Sequence, residues 1–145
     1  MKKLLYIFVF MFAISSCTLE TSDNGKLDGF WHLERIDTIS TGGALDMSDG
    51  KIFWSVENKL LQFQGGRGTY TFHFNNTSDS LILIDPYHSY GHEEDGKGGD
   101  VEVTDVNDLR QYGVQHLNEH LYKESLKGSS MVLRTDSVRL YFRKF

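Results

Sequence analysis

The sequence predicts an all-β fold, an antiparallel barrel of about eight strands with one short helix. Three observations predict it. Apolar side chains recur at every second position along most of the chain, the period of a half-buried strand. Short turn signals separate these runs at even spacing, which suits a barrel or sandwich. Fourteen glycines stand against a single proline, a balance suited to tight hairpins. Closure into a barrel is the expected outcome because it removes the exposed sheet edges.

The elements follow in order. The strands are expected at 31–37 (WHLERID), 51–57 (KIFWSVE), 60–64 (LLQFQ), 69–75 (TYTFHFN), 80–85 (SLILID), 101–105 (VEVTD), 131–136 (MVLRTD) and 138–145 (VRLYFRKF). The third hairpin partner is the clearest: Tyr70, Phe72 and Phe74 alternate with Thr71 and His73. Turns fall at TGG (41–43), SDG (48–50), GGRG (65–68), NNTSDS (75–80), GKGG (96–99) and KGSS (127–130). Pro86 follows a strand, where its missing donor does no harm. Residues 106–112 are expected to form the short helix, with Asp108 as a cap and Gly113 ending it. A further strand is expected over 117–126.

The first sixteen residues are set apart from the fold. Lys2 and Lys3 precede an apolar run of eleven residues, Leu4 to Ile14. That is short of the roughly twenty needed to span a bilayer, and it fits the core of a secretory signal. It ends in Ile14-Ser15-Ser16-Cys17, which resembles a bacterial lipobox. The resemblance implies cleavage before Cys17 and lipidation of its thiol, with palmitate among the acyl chains. The bland alternative is an ordinary signal followed by a buried cysteine. Cys17 is the chain's one cysteine, so no internal disulfide exists. Thr18 in place of Asp implies sorting to the outer membrane, in either leaflet. The organisation expected is a signal peptide (1–16), a lipidated tether (17–26) and one domain (27–145).

Without Lys2 and Lys3 the chain carries 13 basic against 20 acidic residues, a net charge of −7. That surface disfavours nucleic acid and anionic membrane as partners. Self-repulsion suits a soluble, monomeric domain on a tether.

Two features carry a further resemblance. Gly29-Phe30-Trp31 stands in the G-x-W pattern that opens the first strand of lipocalins. The chain ends in a hairpin, MVLRTDSVRLYFRKF, whose last strand holds Arg139 and Arg143. With the lipobox, these resemble the small lipocalin-like lipoproteins of Gram-negative bacteria. The resemblance covers residues 29–145. It implies structural roles for Gly29 and Trp31, with Trp31 closing one barrel end. It also implies that Arg139 or Arg143 packs over the Trp31 ring.

Trp31, Trp54, Tyr70, Phe72 and Phe74 are expected to face inward. They either line a cavity for a small apolar ligand or fill the core solidly. The 85–100 stretch, DPYHSYGHEEDGKGGD, is a candidate partner-binding loop through Tyr87, His88, Tyr90 and His92. Its acidic and histidine residues suit zinc or calcium by type, but no calcium-loop spacing occurs. His116-Leu117-Asn118-Glu119-His120 spells the H-x-x-E-H of a zinc peptidase, which requires a helix. Gly113 and the strand pattern after it argue for exposed histidines instead. No metal and no cofactor is expected. Nucleophile elbows and phosphate loops do not occur, so catalysis is not expected. Asp37-Thr38-Ile39, Asp79-Ser80-Leu81 and Asp136-Ser137-Val138 resemble an O-glycan acceptor pattern, though Asp-Ser before a strand is ordinary turn chemistry. The function expected is a non-catalytic, membrane-anchored binder of a small apolar or amphipathic ligand. The alternative is an inhibitor or accessory protein of the cell envelope that uses residues 86–100 around a solid barrel.

Overall fold

The computed structural model describes residues 22–91 and 99–145. The signal peptide, Cys17, most of the tether and His92 lie outside the described residues. Ten strands form: β1 (Gly29–Thr38), β2 (Ala44–Asp46), β3 (Phe53–Glu57), β4 (Leu60–Gln64), β5 (Tyr70–Asn76), β6 (Ser80–Ser89), β7 (Asp100–Glu102), β8 (Glu119–Leu126), β9 (Ser130–Arg134) and β10 (Val138–Lys144). Eight of them close a ring in the order β1-β3-β4-β5-β6-β8-β9-β10, with β10 pairing back onto β1. All pairings are antiparallel. β2 continues the pairing of β1 past the end of β3, and β7 pairs with the end of β6.

Strand alternation builds the core. Trp31 and Leu33, Trp54 and Val56, Leu61 and Phe63, and Tyr70, Phe72 and Phe74 all point inward and are buried. So do Leu121, Met131 and Leu133, and Val138, Leu140 and Phe142. Burying such side chains is worth about 1.5–3 kcal/mol each, and the ring is the geometry that lets every strand bury one face.

The two ends differ. One end, the closed end, holds the β3–β4, β5–β6 and β8–β9 turns and both ends of the domain. The β3–β4 turn needs only Asn58 and Lys59, with Asn58 at φ 54, a conformation that asparagine tolerates. The other end, the mouth, holds the β1–β3, β4–β5, β6–β8 and β9–β10 connections.

Several sequence expectations are corrected. The short helix is two successive 3-10 turns, Val106–Asp108 and Arg110–Tyr112. The capping residue is Asp105, not Asp108: its carboxylate accepts from the Asn107 N–H. Gly113 does end the segment, at φ 91, and an added Cβ would sit 2.6 Å from Leu140 Cδ2. β2 was not expected, because all three of its residues are exposed and give no alternation. Pro86 lies within β6. Pairing with β5 slips there, between Ile84 and Tyr87, with Asp85 at φ 52. The bulge puts Pro86 where no ladder donor is required, and it moves the inward set from Leu81 and Leu83 to Pro86 and His88.

Candidate functional site

The closed end is sealed by neighbours in sequence. A 3-10 turn, Gly25–Leu27, folds beneath the barrel and buries Leu27. The Trp31 indole N–H donates to the Leu27 carbonyl at 2.8 Å. Asn24 Nδ2 pins the segment to the β3–β4 turn by donating to the Asn58 carbonyl at 2.6 Å. The cation over Trp31 is Lys144, whose Nζ lies 4.7 Å from the ring centroid and donates to the Lys26 carbonyl at 3.0 Å. Neither Arg139 nor Arg143 takes that place. Strand parity decides it: Val138, Leu140, Phe142 and Lys144 share the inner side of β10, so Arg139 and Arg143 point out. Arg139 forms a two-pronged pair with Glu124 at 2.6 and 2.9 Å, which raises the guanidinium pKa further. Arg143 bonds Glu34 at 2.9 Å. Burial pulls Glu34 upward, but Arg143 and His32 outweigh it and hold the carboxyl below its usual range. Gly29 stands at φ 130, a backbone conformation that favours glycine, and a Cβ there would also push on Lys144 Cε at 2.8 Å. The G-x-W pattern is thus the sequence trace of one packed corner.

The mouth is sealed from a distance. Residues 103–114, between β7 and β8, drop Val103, Leu109, Tyr112 and Val114 into the barrel. The Tyr112 ring stacks on Phe63 at 5.0 Å, and its hydroxyl lies 2.6 Å from the Gly65 and Gly68 carbonyls. One proton serves either carbonyl in turn. Burial pushes the Tyr112 phenol up to about 12. The Trp54 indole N–H donates to the Tyr112 carbonyl at 3.2 Å.

From Tyr112 a column of rings reaches the surface. Tyr70 packs edge-on at 5.5 Å, His88 stacks on Tyr70 at 4.7 Å, and Tyr90 meets His88 at 4.1 Å. Tyr90 is 53% exposed. Downward the column continues through Phe63 to Trp54 at 4.5 Å and Phe72 at 4.8 Å, then from Trp54 to Phe142 at 4.8 Å. Tyr70 is also raised, first by burial and then by Asp108 and Tyr90. Trp31, Trp54 and Phe72 are fully buried and touch other side chains, so in this conformation they act as packing. Among the described residues, every buried side-chain nitrogen and oxygen has a hydrogen-bond partner.

The fold has parallels in known proteins. The family model of the lipocalin-like domain matches residues 10–145. The chain belongs to the lipocalin-like family. A lipocalin-like protein from Bacteroides uniformis superposes with a TM-score of 0.60 at 19% identity, covering 83% of this chain and 100% of that one. An uncharacterized protein from Bacteroides eggerthii superposes with a TM-score of 0.56 at 14% identity, covering 81% and 98%. At these identities the likeness is one of fold. No curated protein matches the chain.

The remaining sequence candidates fall elsewhere on the lipocalin-like barrel. His116 to His120 enter β8 and form no helical face. Glu119 turns inward, and its carboxylate accepts from the backbone N–H of Gln115 at 2.6 Å and of His116 at 3.0 Å. It caps a chain reversal. His120 points out and meets Ser80 Oγ at 3.0 Å. His116, His120, Asp136 and Ser137 border an open cleft of about 290 Å³. Among the described residues no three histidine, cysteine or acidic side chains converge as a metal site. Residues 86–89 belong to β6 and are not loop. Tyr87 points outward there, and His88 inward. Of the three O-glycan-like positions, Ser80 is buried, Thr38 is half-buried and Ser137 is exposed. Sequence reasoning missed Tyr112, Leu109 and Lys144. Parity along VRLYFRKF was the signal for Lys144; Tyr112 had none beyond its size.

Proposed function

We propose that this chain is a membrane-tethered, non-catalytic member of its family that binds a small apolar or amphipathic molecule at the barrel mouth. The acyl chains on Cys17 hold it to the outer membrane. The observation that supports the ligand reading is the ring column from Tyr90 through His88 and Tyr70 to Tyr112. It offers a flat ligand stacking surfaces at the rim, above the apolar side chains on which Tyr112 packs. The cover over those side chains, residues 103–114, is held among the described residues by few side-chain bonds: the two alternatives of Tyr112, the bond from Trp54, and Gln111 accepting from the Arg67 N–H at 3.3 Å. A segment so held opens at lower free energy than the strands around it. A ligand that replaces Tyr112 would meet Phe63, Phe72 and Trp54.

A second reading rests on the filled interior. The β6–β7 ribbon exposes Tyr90 and Val101, and among the described residues β7 is hydrogen-bonded on one side only. An envelope protein could add a strand there while the barrel stays solid. Native mass spectrometry of protein released gently from membranes separates the two. A retained small molecule, lost in Tyr70→Ala, supports the ligand site. A ligand-free barrel that also ignores a panel of apolar fluorescent probes sinks it and leaves the ribbon as the functional surface.

A further inference from the structure

On the outer wall near the closed end, Phe30 stacks on Phe53 at 4.7 Å. Phe145 stands edge-on to both, at 6.4 and 5.6 Å, and is 70% exposed. The Phe145 N–H donates to the Phe30 carbonyl at 2.9 Å, which fixes the ring over the pair. The Arg143 guanidinium sits 5.3 Å from the Phe145 ring, with its charge matched by Glu34. Water-facing phenylalanine in a fixed cluster calls for an occupant.

The chain itself indicates which occupant. Phe30 and Ser22 border the same cleft, of about 460 Å³. Ser22 is five residues from Cys17, so the join spans at most about 17 Å. A lipid on Cys17 therefore holds this wall, and not the mouth, within reach of the bilayer. Three partly exposed rings present a few hundred Å² at most, from roughly 150–250 Å² for a whole aromatic side chain. That falls short of the roughly 800 Å² per partner of a stable protein interface. It suffices for a surface already held at high local concentration by a tether.

We propose that Phe30, Phe53 and Phe145 form a face that rests on the membrane and orients the barrel with its mouth turned away. The proposal depends on the acylation of Cys17 stated above. The contact is apolar, because Arg143 is already paired and the domain is acidic overall. It therefore forms on uncharged lipid and survives salt.

The test uses the full lipidated protein carrying Phe145→Trp, reconstituted in phosphatidylcholine vesicles, with the parent chain subtracting the signal of Trp31 and Trp54. The new indole should emit further to the blue than in detergent-released protein. Brominated phosphatidylcholine should quench it, and high salt should leave the quenching unchanged. A second variant, Phe30→Ala with Phe145→Trp, should lose most of the quenching. Absent quenching, with the N-terminal peptide shown acylated by mass spectrometry, overturns the resting face and leaves the tether intact. A blue shift without quenching, accompanied by cross-linked dimers, overturns it in favour of a second copy. Quenching abolished by salt overturns the apolar contact. An N-terminal peptide without acyl chains overturns the tether reading, and this proposal with it.

Discussion

The two ends of the barrel are closed in opposite ways. The closed end rests on residues in or a few positions from β1, with Leu27 beneath the barrel and Trp31 bonded to the Leu27 carbonyl; only the cation over the ring, Lys144, comes from afar, on the adjoining strand β10. The mouth uses Tyr112, more than forty residues along the chain from the Gly65 and Gly68 carbonyls it meets. A local seal costs little chain entropy to form, whereas a remote one must first close a long loop. The difference teaches that the closed end is structural, and that any opening of the barrel begins at the mouth.

Substitutions at the two ends sharpen or break that contrast. Trp31→Ala should have the largest effect, a loss of about 3–5 kcal/mol of stability. Urea unfolding would measure it, and cooperativity should persist if the closed end is integral to the fold. Raising the pH attacks the other end. The Tyr112 phenol is near 12 when folded and 10 when unfolded, so the stability it confers is complete below pH 10. That stability falls as pH rises from 10 and is gone above about 12. Its full size is about 2–3 kcal/mol. Denaturant midpoints across that range should follow the fall, and Tyr112→Phe should reduce it, leaving the part that Tyr70 contributes. At neutral pH the same Tyr112→Phe change strips two carbonyls of their donor and should cost about 1–3 kcal/mol. Hydrogen exchange should quicken over 103–114 and stay unchanged at Leu27 and Trp31. Equal quickening at both ends would refute the contrast. Lys144→Met should have the smallest effect, about 0.5–1 kcal/mol for a half-buried cation over a ring. The loss should be insensitive to Arg143→Ala if Arg143 plays no part at Trp31.

The strands were legible in the sequence because alternation is written residue by residue. TYTFHFN states its own inner face, and Tyr70, Phe72 and Phe74 occupy it. The G-x-W corner was legible for the same reason: Gly29 and Trp31 lie two apart and act together. The cation over Trp31 was misread because side-chain type was weighed before parity. Lys144 follows Val138, Leu140 and Phe142 on the inner side, while two arginines drew the eye. The mouth was mostly illegible. Residues 103–114 have no period, since two short 3-10 turns interrupt the segment and the inward side chains Val103, Leu109, Tyr112 and Val114 fall at irregular intervals. Their partners lie on strands that local pattern cannot name. H-x-x-E-H misleads for the converse reason, being a spacing with meaning only on a helix. Here Glu119 binds backbone amides at a strand start.

The bulge at Asp85–Pro86 has a consequence for how this fold diversifies. Below it β6 holds β8 through four rungs, Ser80 to Leu83; above it β6 turns to β7 and leaves β8 behind. The ring is thus stitched shut only over its lower half. The described residues from 103 to 118 lie beside this unstitched seam, so they can be rewritten without moving a rung below, provided apolar side chains still fill the places of Val103, Leu109, Tyr112 and Val114. A lineage built on this frame would be expected to vary there first.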